Sequence, residues 1–249
     1  MLRLKRLLLT VSLVLLASAC ATTAPPPQDR HPADPWEPLN RNVYTFNRAA
    51  DRAVLRPIAR GYQAVTPSPL QTGISNFFTN LRSPVVILNL LLQGRPGDSI
   101  EQFERFFVNT VYGLGGLFDL ASHGDLTRHE ADLGMTLGHW GWEDSRYLML
   151  PFFGPSTVRD GVGFYGDTFI NPVWEIAREE GSYGLLALNI IQIRAGLLPM
   201  DAQLEDAFDE YLFLRDGYLQ RRNFQIFGED SQLPDYDAFL DDDFEDWDD

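Results

Sequence analysis

The chain has 249 residues, a formal net charge of −15 and an ordinary hydrophobic content of 45%. Its length suits one large domain or two small ones and is enough to bury a substantial core. The strong negative charge argues against nucleic-acid binding, because that function depends on neutralising phosphates with cations. Cys20 is the only cysteine, so a disulfide within the chain is excluded.

Residues 1–19 have the three-part layout of a secretory signal peptide. Three cations, Arg3, Lys5 and Arg6, precede an apolar run from Leu7 to Leu16, and small residues follow at 17–19. As a helix this run would be about 15 Å long, whereas a bilayer core is about 30 Å thick. The segment is therefore predicted to direct export rather than to span a membrane.

Cys20 follows this segment directly, and the small residues before it resemble a bacterial lipobox. We expect Cys20 to be the lipid anchor, because several acyl chains together hold a protein durably in a membrane. The alternative is ordinary signal cleavage that leaves a free thiol. In the sorting rule that accompanies the lipobox, Asp after the cysteine retains a lipoprotein at the inner membrane. Ala21 stands there instead, which favours the periplasm-facing side of the outer membrane of a Gram-negative bacterium.

Composition divides the remaining chain into three parts. Residues 20–35 are rich in proline and are predicted to form an extended, lipidated tether. Residues 36–228 are expected to form one compact helical domain. Residues 229–249 hold eleven acids and no base, a composition that buries little apolar surface and predicts disorder.

Apolar periodicity punctuated by Pro and Gly predicts an all-α domain. A first helix is predicted from Glu37 to Arg56, where the following Pro57 disfavours further helix, and a shorter helical stretch then runs to Val65. Further helices are predicted from Ser68, again from Ser83-Pro84 to a C-cap at Gly94, and around Ile100 to Val111. Others begin at Thr157, Pro172 and Ser182, and a long one runs from Leu204 to Phe227. Gly113 to His139 is expected to be mostly loop. Tyr147 to Phe153 is interpreted as a strand or a buried loop.

Sequence signals for catalysis or cofactor binding are weak. Gly161, Gly163 and Gly166 match G-x-G-x-x-G, but a helix start precedes them, so close helix packing is preferred to dinucleotide binding. A second group could ligate a metal or form a solvated loop: His123, Asp125, His129 and Glu130. No nucleophile or phosphate-loop motif is present. We therefore expect no enzyme activity, cofactor or metal, although catalytic groups need not be neighbours in sequence.

Two segments have an amphipathic character that suits either water or lipid. The first helix carries a polar stripe beside its apolar one, formed by Asn40, Tyr44, Asn47 and Asp51. This stripe is a solvated face or a surface that meets lipid headgroups. Val85 to Leu92 is apolar all round except Asn89, which fits a core helix or one lying within a leaflet. The aromatic residues Trp140, Trp142, Tyr147, Phe152 and Phe153 fit a core or a membrane interface equally well.

Short motifs in unbroken order from Asp34 to about Phe227 carry a family resemblance. They include Asp34-Pro35-Trp36-Glu37-Pro38-Leu39-Asn40-Arg41 with Phe46-Asn47, Leu92-Gln93-Gly94, Gly113-Leu114-Gly115-Gly116, and Gly154-Pro155-Ser156-Thr157 with Arg159-Asp160. Together they resemble the signature of the MlaA (VacJ) family of outer-membrane phospholipid-transport lipoproteins.

The resemblance implies a ring-like helical body embedded in one leaflet of the outer membrane, often beside a trimeric porin. An amphipathic passage would remove mislocalised phospholipids from the outer leaflet and deliver them to a periplasmic lipid-carrier protein, which maintains lipid asymmetry. Candidates for the passage are Asn40, Arg41 and Asn47 on its headgroup side and Phe46 on its apolar rim. The alternative is that the two asparagines cap or bridge neighbouring helices. Candidates for the membrane-embedded surface are Val85, Ile87, Leu88 and Leu91. A lipid-cleaving enzyme and a lipoprotein that only scaffolds a porin are the rival functions.

Overall fold

The computed structural model describes residues 31–178 and 183–228. Within these ranges the helices are α1 Glu37–Ala50, α2 Arg56–Val65, α3 Ser68–Leu92, α4 Pro96–Val111, α5 Leu133–His139, α6 Val158–Asp167, α7 Pro172–Arg178, α8 Tyr183–Leu197, α9 Asp201–Glu205 and α10 Glu210–Phe227. Strands β1 Tyr147–Leu150 and β2 Gly154–Thr157 form one antiparallel hairpin. The predicted all-α class is confirmed. The signal segment, Cys20, most of the tether and the acidic tail lie outside the described residues.

Helices α1 and α2 form one continuous helical rod, joined by a π-helical turn at Asp51–Leu55. The predicted break at Arg56 is wrong. The wider π turn comes immediately before Pro57, whose ring and missing N–H disfavour regular α-helical hydrogen bonding. Pro57 lies in the first turn of α2, where the wider turn accommodates its ring.

Helix α3 also runs straight through a proline, so the predicted restart at Ser83-Pro84 is wrong. The part of α3 after Pro84 buries Val85, Val86 and Leu90, and this packing offsets the backbone hydrogen bond that proline removes. The predicted stop at Gly94 is confirmed: Gly94 has a φ of +73°, and its N–H donates to the Leu91 carbonyl at 3.0 Å. The chain then turns into α4, which packs along α3.

The predicted loop between Gly113 and His139 contains a helix that periodicity did not reveal. Helix α5 begins after Asp132, whose carboxylate accepts the Met135 N–H at 2.9 Å. Helix α6 packs against α5 so closely that a Cβ on Gly163 would lie 2.3 Å from the Gly134 nitrogen. The predicted packing role of the glycines is confirmed for Gly163 and Gly166, whereas a Cβ on Gly161 meets only Ser156, at 3.8 Å.

The start of the folded body and the course of its last predicted helix differ from the predictions. The tether was predicted to reach Pro35, but Asp34 is completely buried and accepts a hydrogen bond from the Asn40 amide at 2.8 Å. The single helix predicted from Leu204 to Phe227 is interrupted between α9 and α10. Asp209 starts α10 as its N-cap, because its carboxylate accepts the N–H groups of Tyr211 and Leu212.

Candidate functional site

The described residues distribute polarity in the reverse of the usual way for a protein in water. Their buried set contains 20 polar or charged residues and only 14 hydrophobic ones, while 36 large hydrophobic residues are exposed. Single exposed hydrophobics are common, but extended apolar surfaces mark sites that contact a membrane or a partner. The molecule is therefore built to place apolar side chains against something other than water.

Helix α4 shows this inversion most clearly. Its apolar residues Ile100, Phe103, Phe107 and Val111 point outward and are 50–60% exposed. Its buried residues are all polar: Ser99, Gln102, Arg105 and Asn109. Both sets recur at helical spacing, so the sequence predicts a helix with two faces. It does not tell which face points inward, and the usual expectation of an apolar inner face is wrong here.

The inward face of α4 forms a polar seam with α3. The Gln102 amide donates to the Ser83 hydroxyl at 3.2 Å, and the Asn80 amide donates to the Thr110 hydroxyl at 2.8 Å. A recess of about 320 Å³, including space open to solvent, lies at this seam. Its lining consists of Asn76, Thr79, Asn80, Ser83, Gln102, Arg105, Asn109, Asp119 and Arg128. The recess thus offers amides, hydroxyls and guanidinium groups together.

One ion pair closes an end of this polar seam. The Arg105 guanidinium, which is 4% exposed as a residue, donates to both carboxylate oxygens of Asp119 at 3.0 and 3.1 Å. Burial alone raises the pKa of the Asp119 carboxyl, but hydrogen bonds from Ser122 and Asn109 and the charge of Arg105 outweigh it. The net pKa of Asp119 therefore lies below its usual range, and the pair stays ionised at neutral pH.

A second polar interior, at the junction of α5, α6 and α10, is made of buried charges. Arg222 donates to Asp132 at 2.8 Å and to Asp160 at 3.0 Å, and the Tyr218 hydroxyl donates to Asp160 at 2.7 Å. Burial raises the pKa of both carboxyl groups, but the hydrogen bonds and positive charge of Arg222 outweigh it, so both pKa values are lowered. We refer to this set, Asp132, Asp160, Tyr218 and Arg222, as the charged junction.

The predicted passage residues on α1 lie together, but they differ in accessibility. Asn40 is fully buried, and its amide contacts Asp34, the Tyr147 carbonyl and the Met149 N–H. Asn47 donates to the Leu150 carbonyl at 2.9 Å and accepts the Phe152 N–H at 2.8 Å. Both asparagines therefore bridge α1 to the hairpin that begins with β1, whereas the alternative interpretation expected them to cap or bridge neighbouring helices. Asn40 has no accessible surface for a headgroup, which corrects its place among the passage residues.

The other two passage candidates reach the surface. Arg41 is held by Glu37 at 2.7 Å and Asp209 at 2.8 Å, and its guanidinium lies 4.5 Å from the centre of the Tyr211 ring. Phe46 is 49% exposed and contacts the ring of Phe152 edge to face. Arg41 is thus already paired with two carboxylates, while Phe46 offers an open apolar surface.

The residues predicted to contact the membrane divide between the two sides of α3. Leu88 and Leu91 are exposed, and Ile87 is half-buried. Val85 is 1% exposed and packs in the interior, so its side chain cannot contact surrounding lipid in this conformation. A further helical run that sequence analysis did not single out, Tyr183–Glu205, is long and apolar enough to cross a membrane, with only 11% of its most apolar part buried.

One cluster of side chains could hold a metal ion. His129 Nε2 lies 2.8 Å from Glu101 Oε2, and the ligand atoms of Asp98, Glu101 and His129 all lie within 4.8 Å of one another. Asp98 is also paired with Arg95 at 2.6 Å, so each of these groups has a partner within the protein. The sequence grouped His129 with His123 and Asp125, whereas its partners come from α4.

Comparison with known proteins decides the family. Residues 32–225 match the family model described as MlaA lipoprotein. The chain belongs to this family. The match begins two residues before the buried Asp34 and ends near the last turn of α10, so it covers the whole folded body. The family predicted from the sequence motifs is confirmed.

Relatives and a solved structure extend the comparison. The chain is 38% identical to the intermembrane phospholipid transport system lipoprotein MlaA of Escherichia coli K12, over 90% of this chain and 88% of that protein. It is 30% identical to the protein of the same name from Haemophilus influenzae, over 89% and 90%. A solved structure reported as the structural basis for maintenance of bacterial outer membrane lipid asymmetry superposes with a TM-score of 0.69 and 37% identity. That superposition covers 78% of this chain and 98% of the other.

Proposed function

We propose that this protein is an outer-membrane lipoprotein that removes mislocalised phospholipids from the outer leaflet and passes them toward the periplasm. Its MlaA relatives are named as lipoproteins of an intermembrane phospholipid transport system. The observation that carries the proposal is the inverted distribution of polarity: 20 buried polar residues inside a surface with 36 exposed large hydrophobics. Such a body is suited to sit among acyl chains while keeping a polar interior.

The chemistry of a phospholipid matches the two sides of α4. Its acyl chains are compatible with the exposed apolar residues, whereas its headgroup needs hydrogen-bonding partners, because an unpaired charge or dipole in an apolar medium is costly. The recess between α3 and α4 supplies such partners, with the exposed Arg128 as its phosphate-binding guanidinium group. Asn47 and Phe46 on α1, with Arg41, remain the proposed contributors from the α1 side.

The proposal includes an anchor, an embedded surface and two partners. Cys20 carries the lipid anchor, and Ile87, Leu88 and Leu91 of α3 join α4 in facing one leaflet of the outer membrane. The ring-like body surrounds an amphipathic passage beside a trimeric porin, and a periplasmic lipid-carrier protein accepts the phospholipid. The described residues form no nucleotide-binding loop, so the proposal places the energy source of transport in other components of the system.

The function is tested by deleting the gene in its native bacterium and restoring it on a plasmid. We expect deletion to raise the amount of phosphatidylethanolamine that a membrane-impermeant amine reagent labels at the cell surface, and the wild-type gene to restore the original amount. Unchanged labelling after deletion would refute the proposal. Cys20→Ala tests the anchor separately, because it should abolish incorporation of labelled fatty acid into the protein.

A lipid-cleaving enzyme would give a different result with purified protein. Incubation with radiolabelled phospholipid in detergent micelles should release neither fatty acid nor headgroup. Release that depends on the protein would support the enzyme and contradict a purely transporting role.

A further inference from the structure

The turn of the β-hairpin presents two phenylalanine rings outward. Phe152 and Phe153 are 69% and 58% exposed. Phe152 has a φ of +66°, a left-handed conformation that is strained for a bulky residue and is usually taken by glycine or asparagine. The chain thus keeps a large apolar side chain at a position where the backbone disfavours it and where burial does not reward it.

Asn47 holds this strained turn from the neighbouring helix. Its side-chain amide donates to the Leu150 carbonyl at 2.9 Å and accepts the Phe152 N–H at 2.8 Å, so the two bonds bracket Pro151. One heptad earlier in α1, Asn40 makes the equivalent pair of bonds to the Tyr147 carbonyl and the Met149 N–H. The two asparagines of α1 therefore bond backbone groups along one edge of β1, and this fixes the orientation of the turn.

Each ring of the turn contacts aromatic residues on neighbouring helices. We refer to both groups together as the aromatic cluster, which consists of Phe46, Phe152, Phe153, Phe164 and Trp174. The Phe152 ring centre lies 5.1 Å from that of Phe46 on α1, and the Phe153 ring centre lies 5.1 Å from that of Phe164 on α6. Phe164 in turn lies 5.8 Å from Trp174 on α7. The turn thus contacts three helices through its two rings, which themselves stay more than half exposed.

The composition of the turn favours hydrocarbon as the substance that covers these rings. Residues 150–155 read Leu-Pro-Phe-Phe-Gly-Pro, without a charged or hydrogen-bonding side chain. Pro151 and Pro155 have no N–H, and Asn47 takes up the Phe152 N–H. Few backbone donors of this turn are therefore left without a partner, as an acyl-chain environment requires. A protein partner would gain little directional recognition from such a surface.

We propose that the aromatic cluster is a contact site for phospholipid acyl chains, and that Asn47 is the positioning residue that holds Phe152 in the orientation this site needs. The inference deepens the proposed transport function and rests on it. It assigns the hairpin, rather than the exposed leucines of α3 alone, to the lipid-contacting surface.

The test uses site-specific photo-crosslinking in the full-length protein. The photoreactive amino acid p-benzoyl-phenylalanine replaces Phe152, or Phe107 on α4 as the control for general lipid exposure. The protein is reconstituted in vesicles of phosphatidylethanolamine and phosphatidylglycerol that contain an alkyne-tagged phospholipid. We expect the tag to be captured at both positions. Asn47→Ala should reduce capture at position 152 about fivefold, the effect of losing one modest contact, and leave capture at position 107 unchanged.

A second variant separates positioning from folding. Phe152→Gly relieves the left-handed strain, so its melting temperature should equal or exceed that of the wild type. If the cluster binds acyl chains, Phe152→Gly should nevertheless reduce capture by p-benzoyl-phenylalanine at position 46, whose ring Phe152 contacts. A merely structural turn would leave that capture unchanged, which would overturn the inference.

The outcomes distinguish the inference from the function on which it rests. Lipid capture at position 107 without capture at position 152 overturns the inference and leaves the transport proposal standing. Capture of a protein rather than lipid at position 152 also overturns it. Absence of lipid capture at both positions contradicts the lipid-facing body itself.

Discussion

The polar seam between α3 and α4 and the charged junction of α5, α6 and α10 solve the same problem in different ways. Both place polar groups inside a body whose outside is apolar. The seam does so with neutral amides and hydroxyls and one closing ion pair, and it adjoins an open recess. The junction uses fully ionised groups, with Arg222 between two carboxylates.

This difference assigns different roles to the two regions. A neutral amide can exchange one hydrogen-bonding partner for another at small cost, so the seam is suited to meet a passing headgroup. A buried charge that loses its partner is strongly unfavourable, so the charged junction is suited only to hold helices together. The predictions below test whether stability depends on the junction and lipid handling on the seam.

The largest expected effect on stability comes from the charged junction. Arg222→Met should lower the free energy of unfolding by about 3–5 kcal/mol, because it removes the guanidinium that Asp132 and Asp160 share. As a positively charged partner, Asp160 then keeps only the weaker contact with Arg159, at 3.3 Å. Chemical denaturation of the detergent-solubilised protein, followed by circular dichroism, measures this. Arg221→Met is the matched control, since the neighbouring Arg221 is exposed and lies 3.6 Å from Glu130. A similar loss in both variants would show that the junction is not a special source of stability.

A smaller loss is expected in the polar seam. Gln102→Leu should cost about 1–2 kcal/mol, because it removes the bonds to Ser83 and to the His129 N–H without leaving a charge unpaired. The same variant should raise outer-leaflet phospholipid in cells, whereas Arg221→Met should not. If Gln102→Leu folds normally and leaves the lipid distribution of the wild type, the seam has no part in transport.

The sequence predicts those features of the two regions that depend on residues close together along the chain, such as helix caps and helix ends. Thr157 caps α6 as expected, since its hydroxyl accepts the Asp160 N–H at 3.1 Å, and Gly94 ends α3 in a left-handed conformation. The polar stripe of α1 that contains Asn40 and Asn47 can likewise be recognised from the sequence. Their partners in β1 lie more than 100 residues away, so spacing alone could not distinguish a headgroup contact from a bridge.

Other features depend on the surroundings of a segment and are not encoded in its local pattern. Pro84 normally ends a helix, but packing of the following residues keeps α3 intact. The two faces of α4 are visible in the sequence, yet only the fold shows that Phe103 and Phe107 point outward. The interruption of the helix before Asp209 was not predicted, because the apolar positions of α9 and α10 continue at helical spacing.

Acid should act on the charged junction more than on the seam. The pKa values of Asp132 and Asp160 are lowered in the folded protein, so the stability they contribute is fully present above their ordinary value of about 3.9. It is lost as the pH falls through the lower folded pKa values. The melting temperature should therefore fall more steeply between pH 5 and 3, as rough limits, in the wild type than in Arg222→Met.

Asp167 acts in the opposite sense, because burial raises its pKa and its ionisation opposes folding as the pH rises. Asp167 is present in both the wild type and Arg222→Met. Subtracting one profile of melting temperature against pH from the other therefore removes the contribution of Asp167 and leaves that of Arg222. Equal slopes for the wild type and Arg222→Met would contradict the assignment of acid sensitivity to the charged junction, while Gln102→Leu should retain the wild-type slope.

The smallest effect on stability is expected on the outward face of α4, and it is the most informative about function. Phe107 is 50% exposed, so Phe107→Gln should change the free energy of unfolding in detergent by about 0.5 kcal/mol or less. In a bilayer the same change places an amide among acyl chains, where it lacks partners, so insertion into the membrane should weaken.

Flotation of the Cys20→Ala protein with vesicles measures this insertion without the contribution of an anchor. Glu104→Gln, which places the same amide at an exposed polar position of the same helix, is the control. If Phe107→Gln floats as well as the control, the outward face of α4 does not contact lipid. If it instead unfolds in detergent, Phe107 belongs to the packed interior, and the division between an apolar exterior and a polar interior fails at the helix that defines it best.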